Sequence, residues 1–169
     1  MTVDGLGERA RKFLIFHSSG MNCAFPLEAV REIVPMAKLY CPPGMPSGIV
    51  GFLNLRGTAI PIIHLDRVFE LPDQLPGLHT PLIVLHGVLG PIGILVDSVR
   101  CIVPGAAALL LDIPDAQTFQ GCATGAMQLD GDLIYLLSPG ALLQASEERF
   151  VRDYSFRSQA RLLHLKEIN

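Results

Sequence analysis

Short apolar runs, often alternating with polar residues, are separated by turn-forming glycine and proline along most of the chain. Runs of this length and spacing predict β-strands joined by tight turns. The Asp130-Gly131 dipeptide is among the strongest short hairpin signals, and Arg56-Gly57 stands in the same setting. The predicted strand pairs are 13–17 with 22–25, 48–55 with 58–65, 81–86 with 90–97, and the pair that closes around Asp130-Gly131.

Helical signals are few and short. Pro26 opens a predicted helical turn, because proline suits the first position of a helix. Two further short helices are predicted at 66–69 and 139–144. The last stretch, 146–169, changes character: it is rich in arginine and carries apolar residues at near-helical spacing, which predicts a helical extension.

The second half of the chain repeats the first. The matched segments are 13–17 with 82–86 and 30–35 with 99–104, at a shift of 69 positions, and 51–63 with 125–137, at a shift of 74. We therefore expect Arg31 and Arg100, and likewise Gly57 and Gly131, to occupy equivalent places. Residues that persist in both copies are expected to serve the fold, whereas residues that differ are candidates for function.

This organisation predicts a mainly β protein of two small barrels, because strands are many and no long helical period is present. Barrel closure also removes the edges that such apolar strands would otherwise expose. The expected division is an N-terminal tail over 1–12, a repeated unit over 13–145 and an extension over 146–169. The two barrels are expected at approximately 13–75 and 76–145, with exchange of strands between them left open.

Composition narrows the function. Half of the 169 residues are hydrophobic and 17% are charged, which indicates either a large core or apolar surface kept for partners. The net charge of −3 and the absence of tryptophan disfavour a nucleic-acid-binding surface, including an oligonucleotide-binding barrel. No signal peptide and no membrane-spanning stretch are expected, so we predict a cytoplasmic protein.

Chemistry-bearing motifs are weak. The four cysteines lack a C-x-x-C pair, which predicts free, mostly buried thiols; a zinc site with His79 or His86 is the alternative that spacing does not favour. His64 lies near Asp66, but a satisfied or exposed imidazole is favoured over a general base, since no nucleophile or pocket accompanies it. We expect no catalytic residues, no metal and no cofactor.

The segment Gly51-Phe52-Leu53-Asn54-Leu55-Arg56-Gly57, followed by Ile60-Pro61-Ile62-Ile63-His64-Leu65, resembles the signature of CheW-like domains. Val30-x-Glu32-Ile33 and the element from Gly93 to Val99 resemble two further pieces of that family, and the likeness runs from about 13 to 143. It implies two packed, five-stranded SH3-like barrels. It also implies a non-enzymatic adaptor that couples chemoreceptors to the histidine kinase CheA. His64 departs from the family, which has aspartate there.

The resemblance also implies which residues meet partners. From its turn position alone, Arg56 would be a solvated residue; the family motif favours a role in receptor and kinase coupling. Recurrence of Val30 as Val99 favours a packing role for both, to which the resemblance adds binding. The candidate partner-binding residues are Val30, Glu32, Asn54, Leu55, Arg56, Val99 and Ile102, and the candidate structural turn glycines are Gly51, Gly57 and Gly131.

The expected partners are a chemoreceptor cytoplasmic tip, docking as a helix between the barrels, and the regulatory domain of a CheA-type kinase on an outer barrel face. Such an adaptor would be cytoplasmic and associated with membrane receptor arrays. Two alternatives stay open. One is a scaffold in a non-chemotactic pathway that controls surface motility or a cyclase. The other, from a different class, is a small-molecule-binding or enzymatic barrel that uses His64, Asp66 and a cysteine.

Overall fold

A computed structural model describes residues 10–45, 48–72, 80–87, 90–114, 119, 121–142 and 144–145. The strands are β1 (Lys12–Ser18), β2 (Met21–Pro26), β3 (Val30–Pro35), β4 (Ile49–Leu55), β5 (Thr58–His64), β6 (Pro81–Leu85), β7 (Ile92–Leu95), β8 (Ser98–Pro104), β9 (Leu109–Leu111), β10 (Ala123–Leu129) and β11 (Asp132–Leu137). Helical segments are α1 (Leu65–Val68), 3-10 turns at Leu27–Ala29 and Gly105–Ala107, and residues 139–142 and 144–145.

The strands form two sheets, and each sheet combines strands of both repeats. One has six strands in the order β8-β1-β2-β11-β10-β9, and the other has five in the order β3-β6-β7-β5-β4. In each sheet a parallel pair joins the two repeats, β2 with β11 and β5 with β7. The hairpin β1–β2 therefore completes the barrel of the second repeat, and β6–β7 completes that of the first. The five-stranded sheet uses one continuous stretch of chain, whereas the six-stranded sheet draws on the stretches before and after it.

Three hydrophobic clusters hold this arrangement together. Alternate residues of β1 face different clusters: Phe13 and Ile15 pack inside the six-stranded barrel, whereas Leu14 and Phe16 join a cluster shared by both barrels. Strand β6 divides in the same way between the five-stranded barrel and the shared cluster. This alternation follows from the two-residue period of a strand. Because both faces of these strands are buried, the barrels are fused through a common core.

The two hairpin turns of the repeats have matching backbones. Arg56 and Gly57 have φ of 50° and 86°, and Asp130 and Gly131 have φ of 50° and 85°. Two consecutive positive φ values belong to the type I′ turn, whose twist suits a two-residue hairpin. The equivalence of Gly57 and Gly131 expected from the repeat is confirmed.

Each repeat also carries an arginine at a β-bulge. The pairing of β3 with β6 skips Arg31, and the pairing of β8 with β1 skips Arg100. Strands β3 and β8 both lie at a sheet edge, where bulges are common. The two arginines thus occupy equivalent places, as the repeat predicts.

The barrels differ at one edge. Strand β9 pairs Leu111 with Ala126 of β10. The equivalent contact in the other barrel is the single bridge between Tyr40 and Phe52. Gly51, predicted as a turn glycine, instead lies inside β4, and a Cβ there would come within 2.9 Å of Leu39 Cβ. Its small size lets the 39–41 segment approach the strand, so the turn assignment was wrong for this glycine.

The mainly β fold of two packed SH3-like barrels with short helices is confirmed. The strand count differs in the six-stranded sheet because β9 adds an edge strand there. The predicted helical extension over 146–169 lies outside the described residues. Among the described residues, no helix reaches the length and hydrophobicity that crossing a bilayer requires.

Candidate partner-binding surface

Arg56 and Glu32 form an ion pair at the seam of the five-stranded barrel. The Arg56 Nη2 atom contacts Glu32 Oε1, and 65% of the Arg56 side chain stays exposed. Glu32 lies on the edge strand β3 and Arg56 in the turn after the edge strand β4, so the pair joins the two edges of the sheet. Arg31 Nε lies 3.8 Å from the same carboxylate. Two cations thus share one anion, which leaves positive charge on this surface.

The other residues of the turn motif serve the turn and the core. Asn54 Oδ1 accepts a hydrogen bond from the Gly57 backbone N–H at 3.0 Å, which stabilises the tight turn. Leu55 is half-buried and packs against the cluster inside the five-stranded barrel. Within Asn54-Leu55-Arg56, the arginine is therefore the residue whose side chain extends furthest into solvent.

The second repeat has no equivalent of this ion pair. The position of Glu32 is taken by Cys101 and the position of Arg56 by Asp130, which cannot pair as cation and anion. Arg100 instead donates a hydrogen bond to Asn22 Oδ1 at 3.1 Å. The two barrels therefore present different charged surfaces on a similar backbone.

The valine and isoleucine candidates lie in two settings. Val30 and Val99 are half-buried and pack against the rim of the shared cluster, so both barrels contribute to that rim. Ile102 is 54% exposed on β8, and its repeat equivalent Ile33 is 45% exposed on β3. The structure thus brings Glu32 and Arg56 together on one barrel and keeps Ile102 on the edge of the other.

Further exposed apolar side chains escaped the sequence reasoning. Tyr40 is 70% exposed beside β4, and four leucines are also exposed. These leucines are Leu71, Leu109, Leu111 and Leu133. The run 109–111 is three leucines with no alternation of apolar and polar residues, so no signal in the sequence indicates that two of them face solvent on an edge strand.

A buried polar cluster links the two barrels. The Ser19 hydroxyl, in the turn between β1 and β2, donates a hydrogen bond to Asp66 Oδ1 on α1. His64 Nε2 lies 3.4 Å from the other Asp66 oxygen, and both side chains are buried. The sequence left open whether the His64 imidazole is buried with a partner or exposed to solvent. It is buried beside Asp66. Because β1 and β2 belong to one sheet and β5 leads into α1 from the other, the cluster crosses the junction.

The thiols divide evenly between core and surface, whereas mostly buried thiols were expected. Cys23 and Cys122 are buried, and Cys41 and Cys101 are exposed. Burial raises the pKa of Cys23 to about 12 and also raises the pKa of Cys122, because desolvation disfavours the thiolate. Among the residues that the structure describes, no group of three or more histidine, cysteine or acidic side chains could hold a metal ion. His79 lies outside those residues.

Fold and surface together define a binding module: two fused barrels with exposed apolar edges and one charged seam. A family model described as the CheW-like domain matches residues 12–147. The chain belongs to the CheW-like family.

Individual relatives agree with this assignment. The probable chemotaxis protein CheW of Rhizobium etli is 25% identical over 147 residues, which cover 86% of this chain and 95% of that protein. The chemotaxis protein CheW of Rhizobium meliloti is 27% identical over 141 residues, which cover 82% and 90%. The crystal structure of the scaffolding protein TtCheW from Thermoanaerobacter tengcongensis has the same fold, with a TM-score of 0.70 and 22% identity over 79% of this chain and 92% of that chain.

Proposed function

We propose that this chain is a chemotaxis adaptor that couples the cytoplasmic tip of a chemoreceptor to the regulatory domain of a CheA-type histidine kinase. The observation that carries the proposal is the Glu32–Arg56 pair, whose two residues lie in two segments that resemble motifs of the family. Similar proteins support the proposal as well. Two relatives are chemotaxis proteins, and a solved structure with the same fold is a scaffolding protein. An adaptor has no reaction to catalyse; it holds two partners at a fixed relative geometry.

The receptor would dock where the barrels meet. Val30 and Val99 come from different barrels and both pack at the rim of the shared cluster. An amphipathic receptor helix that lies along this rim would bury its apolar face between them. The fused core supports this arrangement, because the shared cluster holds the two barrels against each other.

The kinase domain would contact outer barrel edges. Edge strands β3 and β8 carry the exposed Ile33 and Ile102, and edge strands offer unpaired backbone groups as well as apolar side chains. A contact at a single strand edge is weak on its own. Many such contacts repeated in an assembly give stronger overall binding. The adaptor would therefore act in the cytoplasm, at membrane receptor arrays.

Calorimetric titration against a purified receptor cytoplasmic fragment and a kinase regulatory domain tests the proposal. We expect both to bind the wild-type chain, and Arg56→Asp to weaken at least one of them by about ten-fold or more, as is common for an interface arginine. Asp130→Ala is the matched control, since Asp130 holds the same turn position in the other barrel. Failure of the wild-type chain to bind either partner would refute the coupling role. Equal weakening by both substitutions would refute a specific role for Arg56.

A further inference from the structure

The bulge in β3 brings Arg31 beside Glu32, its neighbour in the same strand. The Arg31 Nε atom lies 3.8 Å from Glu32 Oε1. Neighbouring residues of a regular strand face opposite sides of the sheet, so an unbroken β3 would separate these two charges. The pairing of β3 with β6 passes from Val30 to Glu32 and skips Arg31, and a bulge of this kind re-aims side chains. The packing of Val30 and Val34 agrees, because these residues, four positions apart, join different hydrophobic clusters.

The bulge thereby gives the seam of the five-stranded barrel a second cation. Arg56 contacts the same Glu32 oxygen. Among the described residues, Glu32 is the acid in ion-pair contact with either arginine, so two guanidinium groups share one carboxylate and the group has one net positive charge. The exposed fraction of the side chain is 25% for Glu32, 43% for Arg31 and 65% for Arg56. The two cations are thus more open to a partner than the anion that they share. We call Arg31, Glu32 and Arg56 the first seam.

The equivalent residues of the other barrel, Arg100, Cys101 and Asp130, form a second seam without this charge. Arg100 holds the same bulge position, but a cysteine follows it and an aspartate takes the place of the turn arginine. One arginine and one aspartate leave this group without net charge. Arg100 donates a hydrogen bond to Asn22 Oδ1 at 3.1 Å rather than sharing a carboxylate. The two seams therefore have a similar backbone and differ in charge.

Arg31 also lies beside the rim at which we propose that a receptor helix docks. Val30, directly before it in the chain, packs at the rim of the shared cluster. A helix whose apolar face covers Val30 therefore passes close to Arg31. A guanidinium group binds a carboxylate through parallel hydrogen bonds, so an acidic side chain on that helix has the chemistry that fits. The ion pairs to Glu32 are partly exposed and hence weak, so a second carboxylate can join them at little cost.

We propose that Arg31 determines the specificity of this surface. With Arg56 it forms a two-arginine site for an acidic side chain of the docking receptor helix, and its positive charge directs that helix to the first seam rather than to the second. Glu32 holds the two guanidinium groups in place before the partner binds, which lowers the cost of ordering them. This inference rests on the proposed receptor coupling. It adds the chemistry of the contact and the choice between two similar barrels.

Charge changes at the two bulges of the full-length chain test this inference. In calorimetric titration with a receptor cytoplasmic fragment, Arg31→Gln should weaken binding by about five-fold or more, as is common for an interface arginine. Arg100→Gln removes the equivalent arginine from the second seam; it is the matched control and should leave the affinity nearly unchanged. The affinity of the wild-type chain should fall as salt rises from about 0.05 to 0.5 M, and Arg31→Gln should flatten that decline.

A charge exchange tests the partner's side of the contact. Each acid of the receptor's docking helix is changed in turn to lysine, and each fragment is titrated against the wild-type chain and against Arg31→Glu. At least one lysine fragment should bind Arg31→Glu more tightly than it binds the wild-type chain, because opposite charges then face each other again. Circular dichroism confirms that each variant keeps its β fold, and Arg31→Ala, for which the same weakening is expected, replaces a misfolded Arg31→Gln.

The outcomes separate this inference from the coupling role itself. If the wild-type fragment binds and Arg31→Gln has no effect, or Arg100→Gln weakens binding to the same extent, Arg31 does not determine specificity and receptor coupling stands. Lysine fragments that never prefer Arg31→Glu would overturn the acidic contact in the same way. A wild-type chain that binds no receptor fragment would refute the coupling role, and this inference with it.

Discussion

The Ser19 hydroxyl donates a hydrogen bond to the buried Asp66 carboxylate across the junction of the two barrels. The adjacent Ser18 is more deeply buried than Ser19, yet the Ser18 hydroxyl has no hydrogen-bond partner among the described residues. Of two adjacent serines at the end of β1, one hydroxyl is therefore hydrogen-bonded and the other is buried without a partner among the described residues. A buried polar group that is paired contributes to stability, whereas an unpaired one costs free energy.

This contrast gives a paired prediction. Ser19→Ala should lower the free energy of unfolding by about 1–3 kcal/mol, because Asp66 loses a donor in a buried site. Ser18→Ala should leave stability unchanged or raise it by up to about 1 kcal/mol. Urea denaturation of both variants measures the difference. Equal effects of the two substitutions would show that the hydroxyl of Ser19 does not stabilise the junction.

Restoring the family residue at position 64 should destabilise this chain. His64 Nε2 faces an Asp66 oxygen at 3.4 Å, so His64→Asp would bring two buried carboxylates together. Like charges at such a distance repel strongly, and we expect a loss of about 2 kcal/mol or more at neutral pH. His64→Asn, which adds no charge, is the control and should cost less. A thermal melt in which the Asp variant is the more stable would contradict this reasoning.

Removing the Arg56–Glu32 pair should have little effect on stability. The arginine is mostly exposed, and exposed ion pairs contribute between zero and about 1 kcal/mol. A double-mutant cycle with Arg56→Ala and Glu32→Ala should therefore return a coupling energy below about 1 kcal/mol. Denaturation of the four proteins measures it. A larger coupling energy would mean that the pair closes the barrel rather than serving a partner.

Alanine in the two hairpin turns should be destabilising to the same extent. Gly57 and Gly131 have nearly the same positive φ, a conformation that costs an L-residue roughly 1 kcal/mol. Gly57→Ala and Gly131→Ala should each lower stability by about that amount. Gly140→Ala, in the helical stretch 139–142, should instead raise stability by up to about 1 kcal/mol. Guanidinium denaturation compares the three. Unequal losses at the two turns would show that their surroundings differ.

The exposed and the buried cysteines should differ in their reactivity towards a thiol reagent. In the native protein at about pH 8, where a free thiol is partly ionised, Cys41 and Cys101 should react with a maleimide and Cys23 and Cys122 should not. Peptide mass spectrometry identifies the labelled sites, and full labelling in guanidinium is the control.

The raised pKa of Cys23 also predicts a loss of stability in alkali. Its thiol has a pKa of about 12 when folded and 9.0 in its ordinary state, so above pH 9 the unfolded chain binds fewer protons than the native one. Stability should therefore fall as pH rises through this window. Cys23→Ala should show a shallower decline between pH 9 and 11. An unchanged slope would indicate that other groups control the alkaline transition.

Local signals predicted the strands well. The Asp130-Gly131 and Arg56-Gly57 turns identified both hairpins, because a two-residue type I′ turn depends on residues adjacent in sequence. The repeat correctly related Arg31 to Arg100. The Glu32–Arg56 contact was not predicted, although both residues were candidates, because it depends on how the sheet curls to bring its two edges together.

Other features depend on long-range packing and leave little trace in the sequence. The hairpins β1–β2 and β6–β7 each complete the barrel of the other repeat. The apolar runs of the sequence would be the same if each hairpin stayed in its own barrel, so the sequence pattern cannot distinguish the two topologies. The buried Asp66 likewise depends on a distant residue. Its hydrogen-bond donor, Ser19, lies in a turn 47 positions earlier in the chain. The turn assignment for Gly51 was wrong because this glycine makes room for the segment 39–41, which is distant in sequence, and does not form a turn of its own.

The continuous path of the five-stranded sheet has a consequence for how the chain folds during synthesis. Strands β3 to β7 leave the ribosome together and can form their barrel before β8 exists. The hairpin β1–β2 emerges first but finds its partners β8 and β11 last, so Phe13 and Ile15, which face the inside of the six-stranded barrel, stay uncovered meanwhile. The N-terminal hairpin is thus the stretch most in need of a chaperone, and the C-terminal strands complete the molecule by closing around a barrel that is already formed.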